Sequence, residues 1–520
     1  VSVLHRRGLM LFSMDHKNIV IVGGGACGVA TFVHLVLKLI VEPEPNPVSF
    51  SIIEPRDEIG PGLAYDTGQK GHLLNTSAGL MGIFAEEPGH FVEWMAAHKE
   101  FINEHFPETE TQADGYPPRQ LYGIYLKDVF DEYVTLARQH QMPVELYQDV
   151  AVDADLTEKH RRVTLGSGKT IPADVLVLAT GTPKPNNFKP LESSPNYLDS
   201  PWPSSRILST ITDKGASVCV LGASLTALDA VITLVNNGHR GPIKMYSKDG
   251  LLPRAQSPKE VPFDREVLTL ANIRKVIREN KRALQAKDLF RLFQAEVERV
   301  EGPQDWKRFR RVGRPQLELL DEDIALAEKG ESIFQNILYS TRYISFETWQ
   351  LLPPDQRKLF AKWLKPYSDI NRHAIPLQNA LKLRQLLASG QLTVTAYSDE
   401  VVWNDEKKRY VLTTEKDYTD EVEYVINATG PAMEVAKMDV PILQQMLKKG
   451  YLLPCDAGGV QADVNTMQIC VPGQTDAPVY GIGHVLVGEL FDTNAVWFNV
   501  DQVDPMTTSI LKQLTHERTE

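Results

Sequence analysis

The chain has 520 residues, more than one hydrophobic core usually organises, so two or more domains are expected. A hydrophobic content of 42% with 23% charged residues marks an ordinary globular protein. The excess of 67 acidic over 55 basic residues, a net charge of −12, argues against general nucleic-acid binding, which needs clustered Lys and Arg.

The start, "VSVLHRRGLMLFSM", mimics a signal peptide, but its apolar part is short and no small-residue cleavage site follows. Residues 1–14 therefore read as a disordered leader. The longest apolar run, "VATFVHLVLKLIV", contains His34 and Lys38 and is too short to cross a bilayer. No membrane partner is expected. The four cysteines, Cys27, Cys219, Cys455 and Cys470, form no CxxC, which excludes a zinc ribbon and a redox-active dithiol. So few thiols suit a reducing compartment such as the cytoplasm.

Residues 18–54 predict strand, turn, helix and strand. "NIVIV" is a buried parallel strand, and Gly23-x-Gly25-x-x-Gly28 opens a helix, the context that a dinucleotide-binding fingerprint requires. Gly23 permits the tight turn, Gly25 lets the backbone approach a pyrophosphate, and Gly28 allows close packing of helix on strand. The phosphates meet the N–H groups of Ala26, Cys27 and Gly28 at the positive end of that helix. Glu54 ends the next strand, where a carboxylate accepts from ribose hydroxyls, and Pro55 and Arg56 follow it into the same site.

The stretch "HLLNTSAGLMGIFAEEP" is too apolar for a surface loop and too irregular for a helix. It holds a lone amide at Asn75, with Met81 beyond it. Residues 144–183 alternate in short strands, pass Val150 and end in an apolar strand closed by Ala-Thr-Gly, with Thr180 and Gly181 at its tip. Residues 392–431 repeat that pattern.

A second turn, Gly222-x-Ser224-x-x-Ala227, follows "SVCVLG" and opens a helix with Leu225 and Thr226. Its next strand ends in Ser247 and Lys248 rather than an acid. That pair suits a 2′-phosphate and favours NADPH over NADH, unless Lys248 is simply a solvated loop residue. Residues 256–370 are helical in character and read as an insertion, either a cover over the active site or a partner surface. "NRHAIP" then supplies Arg372, whose planar fork suits a substrate carboxylate, and His373, an acid or base. The alternative for the pair is structural: Arg372 on an acid such as Asp369, and His373 at a domain seam. Near the C-terminus, "PVYGIGHVLVGELFDTNAV" predicts a strand and a turn at Gly483 beside His484, with Asn494 and Ala495 opening the last helix. No nucleophile elbow and no metal-spaced cluster occurs.

Two nucleotide folds, each followed by an ATG strand, resemble the two-dinucleotide-binding-domain flavoproteins. That resemblance implies FAD on the first fold, NADPH on the second, and the N-terminus of the last helix facing the pyrimidine edge of the flavin. "GPGLAY", "HLLNTSAGLM", "PPRQLYGIYL", "GASLTALD", "GLLPR", "NRHAIP" and "YGIGHVLVGELFDTNAV" are similar to the bacterial FAD–NAD(P)-binding family, related to N-hydroxylating monooxygenases. The implied fold is α/β, two Rossmann-like domains with a helical insertion. An FAD domain (15–205) is split by an NADPH domain (206–375) and completed by 376–520. In flavin monooxygenases with a similar Asn-Thr-Ser segment, the Asn lies beside the flavin near C4a, where oxygen adds to give a C4a-peroxyflavin. Asn75 is expected there, unless it caps a turn by bonding local backbone. The chain departs from relatives in lacking FxGxxxHxxxW and in continuing its second ATG as Gly430-Pro431.

The expected activity is NADPH-dependent oxygenation of a small amine or amino acid with O2, and the resemblance leaves room for a homodimer. Two rivals stand beside it: an NAD(P)H oxidoreductase that reduces oxygen or a quinone without inserting oxygen, and a nucleotide-binding redox sensor.

Overall fold

In a computed structural model, residues 16–43, 46–157, 161–259, 261–306, 311–414, 419–474 and 477–516 are described. The leader expected over 1–14 lies outside them. Continuous runs of Val, Ile and Leu suit strands covered on both faces, and these runs form the centres of two sheets. In the first, β1 (Lys17–Val22), β2 (Val48–Ile53) and β3 (Val144–Tyr147) pair in parallel in that order. A separate antiparallel sheet, β4 (Ala151–Asp155), β5 (Arg162–Leu165) and β6 (Thr170–Pro172), leads into β7 (Val175–Leu178). That strand returns to the free side of β1, with Val22 opposite Leu178.

The chain then builds the second sheet. Its strands are β8 (Tyr197–Leu198), β9 (Val218–Leu221), β10 (Ile243–Ser247), β11 (Leu392–Asn404), β12 (Arg409–Thr414), β13 (Thr419–Val422) and β14 (Tyr424–Asn427). The spatial order is β13-β12-β11-β10-β9-β14-β8. Finally β15 (Ala462–Asp463), β16 (Gln468–Ile469) and β17 (Val479–Gly481) return to the first sheet, where β17 pairs in parallel with β7. In each sheet the strand order reverses at one place, between β1 and β7 and between β9 and β14. Open α/β sheets bind ligands in the crevice at such a switch point.

The helices that matter for the site are α1 (Ala26–Val41) after β1, α2 (Arg119–Gln139), and α3 (Leu225–Asn236) after β9. Between β10 and β11 lie α4 (Ser345–Leu351), α5 (Pro354–Trp363), α6 (Lys365–Arg372) and α7 (Leu377–Ala388), among others, and α8 (Val496–His516) closes the chain. The core under the first sheet takes in residues from Ile19 to Ala179 and again from Ala432 to Leu514. The insertion has its own small core around Ile273, Leu289, Phe334, Ile337 and Trp349.

One expected boundary needs correction. Residues 376–427 were assigned to completing the first unit, yet α7 packs Ala380, Leu383 and Leu386 into the second core. Strand β11 pairs in parallel with β10, Ile243 opposite Leu392, and β14 pairs with β9. The second meander therefore extends the second sheet, whereas the first meander stands as a separate sheet. At the other end β8 also joins it, so the second sheet begins before residue 206.

Candidate active site

The first glycine turn is built by its neighbours. Gly23 has φ +109°, and a Cβ there would overlap the carbonyl oxygen of Ala179, at the end of β7. A Cβ on Gly28 would overlap the Gly23 carbonyl oxygen, so α1 can close onto the turn only with glycine at that position. Gly25 is the N-cap and offers no side-chain cap, which leaves the first-turn N–H groups of α1, Ala26 to Gly28, without helical partners. Glu54 is buried; its Oε2 accepts from the Gly24 N–H at 2.9 Å, and its Oε1 accepts from Arg56 Nε at 3.3 Å. Arg56 Nη1 is buried without a hydrogen-bond partner among the described residues. An open backbone cradle, a buried acid and an unused guanidinium N–H fit the diphosphate and adenosine of a dinucleotide.

The second turn repeats this geometry residue for residue. Gly222 has φ +111°, and a Cβ there would overlap the carbonyl oxygen of Ala428. Ser224 caps α3 with φ −89° and ψ −175°, close to the −80° and −171° of Gly25. Ser therefore fits where the fingerprint has Gly, because this conformation is extended and needs no glycine. Its side chain makes no cap bond and is exposed beside Leu225 and Thr226, with Ser247 and Lys248 at the tip of β10. The two Ala-Thr-Gly ends thus serve as the walls against which the two glycine turns close.

Asn75 lies in a segment held flat against 113–118. Leu74 N–H donates to Pro117 O, and Ala78 N–H donates to Gly115 O, both at 2.9 Å. Leu74, Ala78 and Met81 are buried and Asn75 is half-buried. The Asn75 side chain makes no hydrogen bond to any described residue, so it does not cap the turn here. Beside it, Arg119 opens α2, donates from Nε to Leu73 O at 3.1 Å and pairs with Asp229 of α3 at 2.9 Å. His72 is buried: Nδ1 lies 2.9 Å from Thr67 Oγ1, and Nε2 lies 3.0 Å from Asp229 O and 2.8 Å from Thr233 Oγ1. Burial lowers its pKa, with Asp229 opposing that and Arg119 adding to it, so it stays neutral. The Asn75 segment is in this way bolted to the helix of the second turn.

Residues 20–183 match the family described as FAD-NAD(P)-binding. They belong to it. The chain is 24% identical over 486 residues to the uncharacterized protein YdhS of Escherichia coli K12, covering 83% of this chain and 87% of that one. It is 25% identical over 277 residues to an L-aspartate N-monooxygenase (nitrosuccinate-forming) of Streptomyces davaonensis, covering 46% of this chain and 42% of that enzyme. Among solved structures, L-lysine 6-monooxygenase from Pseudomonas syringae aligns with a TM-score of 0.57 at 14% identity, over 96% of this chain and 99% of that one. The Kutzneria ornithine N-hydroxylase, solved with reduced FAD, NADP+ and L-ornithine, aligns with a TM-score of 0.56 at 13% identity over the same shares. At these identities the structures establish a common fold, two dinucleotide-binding α/β units.

Gly483 has φ +81° and stands beside Cys27, whose Sγ a Cβ at 483 would approach to 3.3 Å. The C-terminal turn therefore lies over the first glycine turn. Burial pushes the Cys27 thiol up to about 12, so it is not a reactive thiolate. His484 is buried, with Nε2 2.9 Å from Ala432 O, and burial lowers its pKa. Thr180 and Gly181 follow β7 at the switch point, Gly181 with φ +72°. Val150 is exposed in the loop after β3, while Met81 points into the first core. Asn494 and Ala495 immediately precede α8.

Arg372 is the clearest departure. Expected to face a substrate carboxylate, it forks onto Asp492, Nη1 to Oδ1 at 2.9 Å and Nη2 to Oδ2 at 2.6 Å, with both side chains buried. Nor is its partner Asp369, which instead holds Lys365 at 2.5 Å and stands 3.8 Å from His373 Nδ1. Burial lowers the pKa of His373, against the pull of the Asp369 carboxylate. Asp492, Asp229 and Arg119 were not singled out in the sequence. Each pairs across a gap of more than a hundred residues, and no local pattern announces such a partner.

Proposed function

We propose that this protein is an NADPH-dependent FAD monooxygenase that N-hydroxylates a small amine or amino acid. The observation that supports it best is Asn75: an amide left free by its own chain, set among buried Leu74, Ala78 and Met81 in the segment tied to the NADPH-side helix. Bound FAD supplies hydride acceptance from NADPH and the activation of O2. The first turn, with Glu54 and Arg56, holds its diphosphate and adenosine. The second turn, with Ser247 and Lys248, holds NADPH, and no acid stands at the end of β10 to repel a 2′-phosphate. With FAD bound, Asn75 would offer its Nδ2–H to oxygen at the flavin, while its apolar neighbours would keep out the water that releases peroxide early. With Arg372 committed to Asp492, the amine rather than a clamped carboxylate defines the substrate class.

The overall balance is amine, O2, NADPH and a proton giving N-hydroxylamine, water and NADP+, with one N–O bond formed. Incubation of the FAD-loaded protein with NADPH, 18O2 and a panel of primary amines and amino acids tests it. The expected result is a product carrying one 18O atom, with about one NADPH consumed per product. NADPH consumption matched by peroxide across the whole panel would favour the oxidase reading instead.

A further inference from the structure

The helical insertion grips one short piece of the first unit, residues 488–492. Trp349 Nε1–H donates to Gly488 O at 3.1 Å, and Gln350 Nε2 donates to Glu489 O at 2.8 Å. Arg357 Nη1 reaches Glu489 Oε2 at 3.1 Å. The Phe491 ring packs against Trp349 and Phe360, and the Arg372 guanidinium lies 5.2 Å over it before forking onto Asp492. The insertion is therefore neither a free lid nor an empty docking face at this point. It is clamped.

What the clamp holds is the approach to α8. Lys38 of α1 donates to Asp504 O and to Thr508 Oγ1, and Asn46 donates to Leu514 O. These contacts pack the middle and end of α8 against Lys38 of α1 and against the loop that follows it. The start of α8, the positive end of its dipole, follows the Gly483 turn, which stands beside Cys27 in the first turn of α1. Asp492 lies two residues before Asn494, and its bare carboxylate would oppose that field. Of the other nearby charges, Lys365 pairs with Asp369 and Arg357 with Glu489.

We propose that Arg372 is a positioning residue that, through Asp492, sets the electrostatic field at the start of α8 and so tunes how readily the bound flavin is reduced. This rests on the reading above that the N-terminus of α8 faces the flavin. Reduction moves a hydride, two electrons and a proton, from NADPH to FAD; NADP+ leaves, and the flavin gains one negative charge. Removing the Arg372 charge exposes Asp492 and disfavours that negative charge. Removing the Asp492 charge leaves Arg372 and favours it.

The test is the midpoint potential of the FAD-loaded protein, measured without oxygen by titration against a redox dye. Arg372→Met should lower it and Asp492→Asn should raise it, each by about a tenfold change in the reduction equilibrium, about 30 mV for a two-electron couple. The double variant should return close to the parent. A purely structural pair would shift both single variants the same way or leave both unmoved, changing only melting temperature, and either result overturns the proposal. If Arg372→Met does not fold, Asp492→Asn decides alone: a rise supports the proposal, and no rise sinks it. The readout needs no oxygenation, so oxygen insertion can fail or succeed independently of it.

Discussion

Gly23→Ala is expected to yield protein that purifies without FAD, whereas Gly222→Ala should purify with FAD bound and fail only in reduction by NADPH. Two penalties combine at each position. The backbone sits at φ +109° or +111°, where an L side chain costs on the order of 1–3 kcal/mol. The added methyl also overlaps a carbonyl oxygen, Ala179 in the first turn and Ala428 in the second, and neither can retreat because each ends a central parallel strand. The turn must open, and the N–H groups at the start of α1 or α3 lose their aim at the diphosphate. A loss of roughly 3 kcal/mol or more is over a hundredfold in affinity. Visible absorbance of the purified proteins reads the first outcome, and anaerobic mixing with NADPH reads the second. Loss of FAD in Gly222→Ala with retention in Gly23→Ala would reverse the assignment of the two turns.

Arg119→Ala should be among the most destabilising side-chain changes. The Arg119–Asp229 pair is largely buried, with side-chain exposures of 14% and 8%, and it joins the start of α2 to α3 across the two units. Truncating one partner leaves a buried charge uncompensated, which costs about 3–5 kcal/mol. The Arg119 bond to Leu73 O goes with it, next to Asn75. Adding Asp229→Ala removes the stranded carboxylate, so the double variant should be more stable than Arg119→Ala alone. Urea unfolding of the FAD-loaded proteins measures the difference. A double variant no better than the single one would mean that Asp229 is not held as an ion by Arg119.

The parts of this molecule legible in the sequence were those fixed by local rules. A continuous run of Ile and Val before glycine gives a buried parallel strand and a turn, and Glu54 and the two Ala-Thr-Gly ends follow from the same short-range pattern. The conformational need for Gly23 and Gly222 was legible too, because only glycine adopts those turns cheaply. The sheet to which residues 392–427 belong was not: a meander looks alike whichever parallel strand it extends, and the choice is made by pairing between β10 and β11 across the whole insertion. The partner of Arg372 is hidden from the sequence for a related reason. Its neighbour Asp369 is close in sequence, but its partner Asp492 is supplied by a segment 120 residues away. For Asn75 the sequence favours a ligand-facing amide over a local cap, and its side chain bonds no described residue.

The central claim is that the Asn75 amide serves oxygen chemistry at the flavin. The most direct test is to reduce the FAD-loaded protein with NADPH under argon, mix it with oxygenated buffer without amine, and follow peroxide release in the parent and in Asn75→Ala. Loss of one aimed hydrogen bond, worth about 1.5 kcal/mol, should make the variant release peroxide roughly tenfold faster. Equal rates in the two proteins would contradict the account and leave Asn75 without a part in handling oxygen.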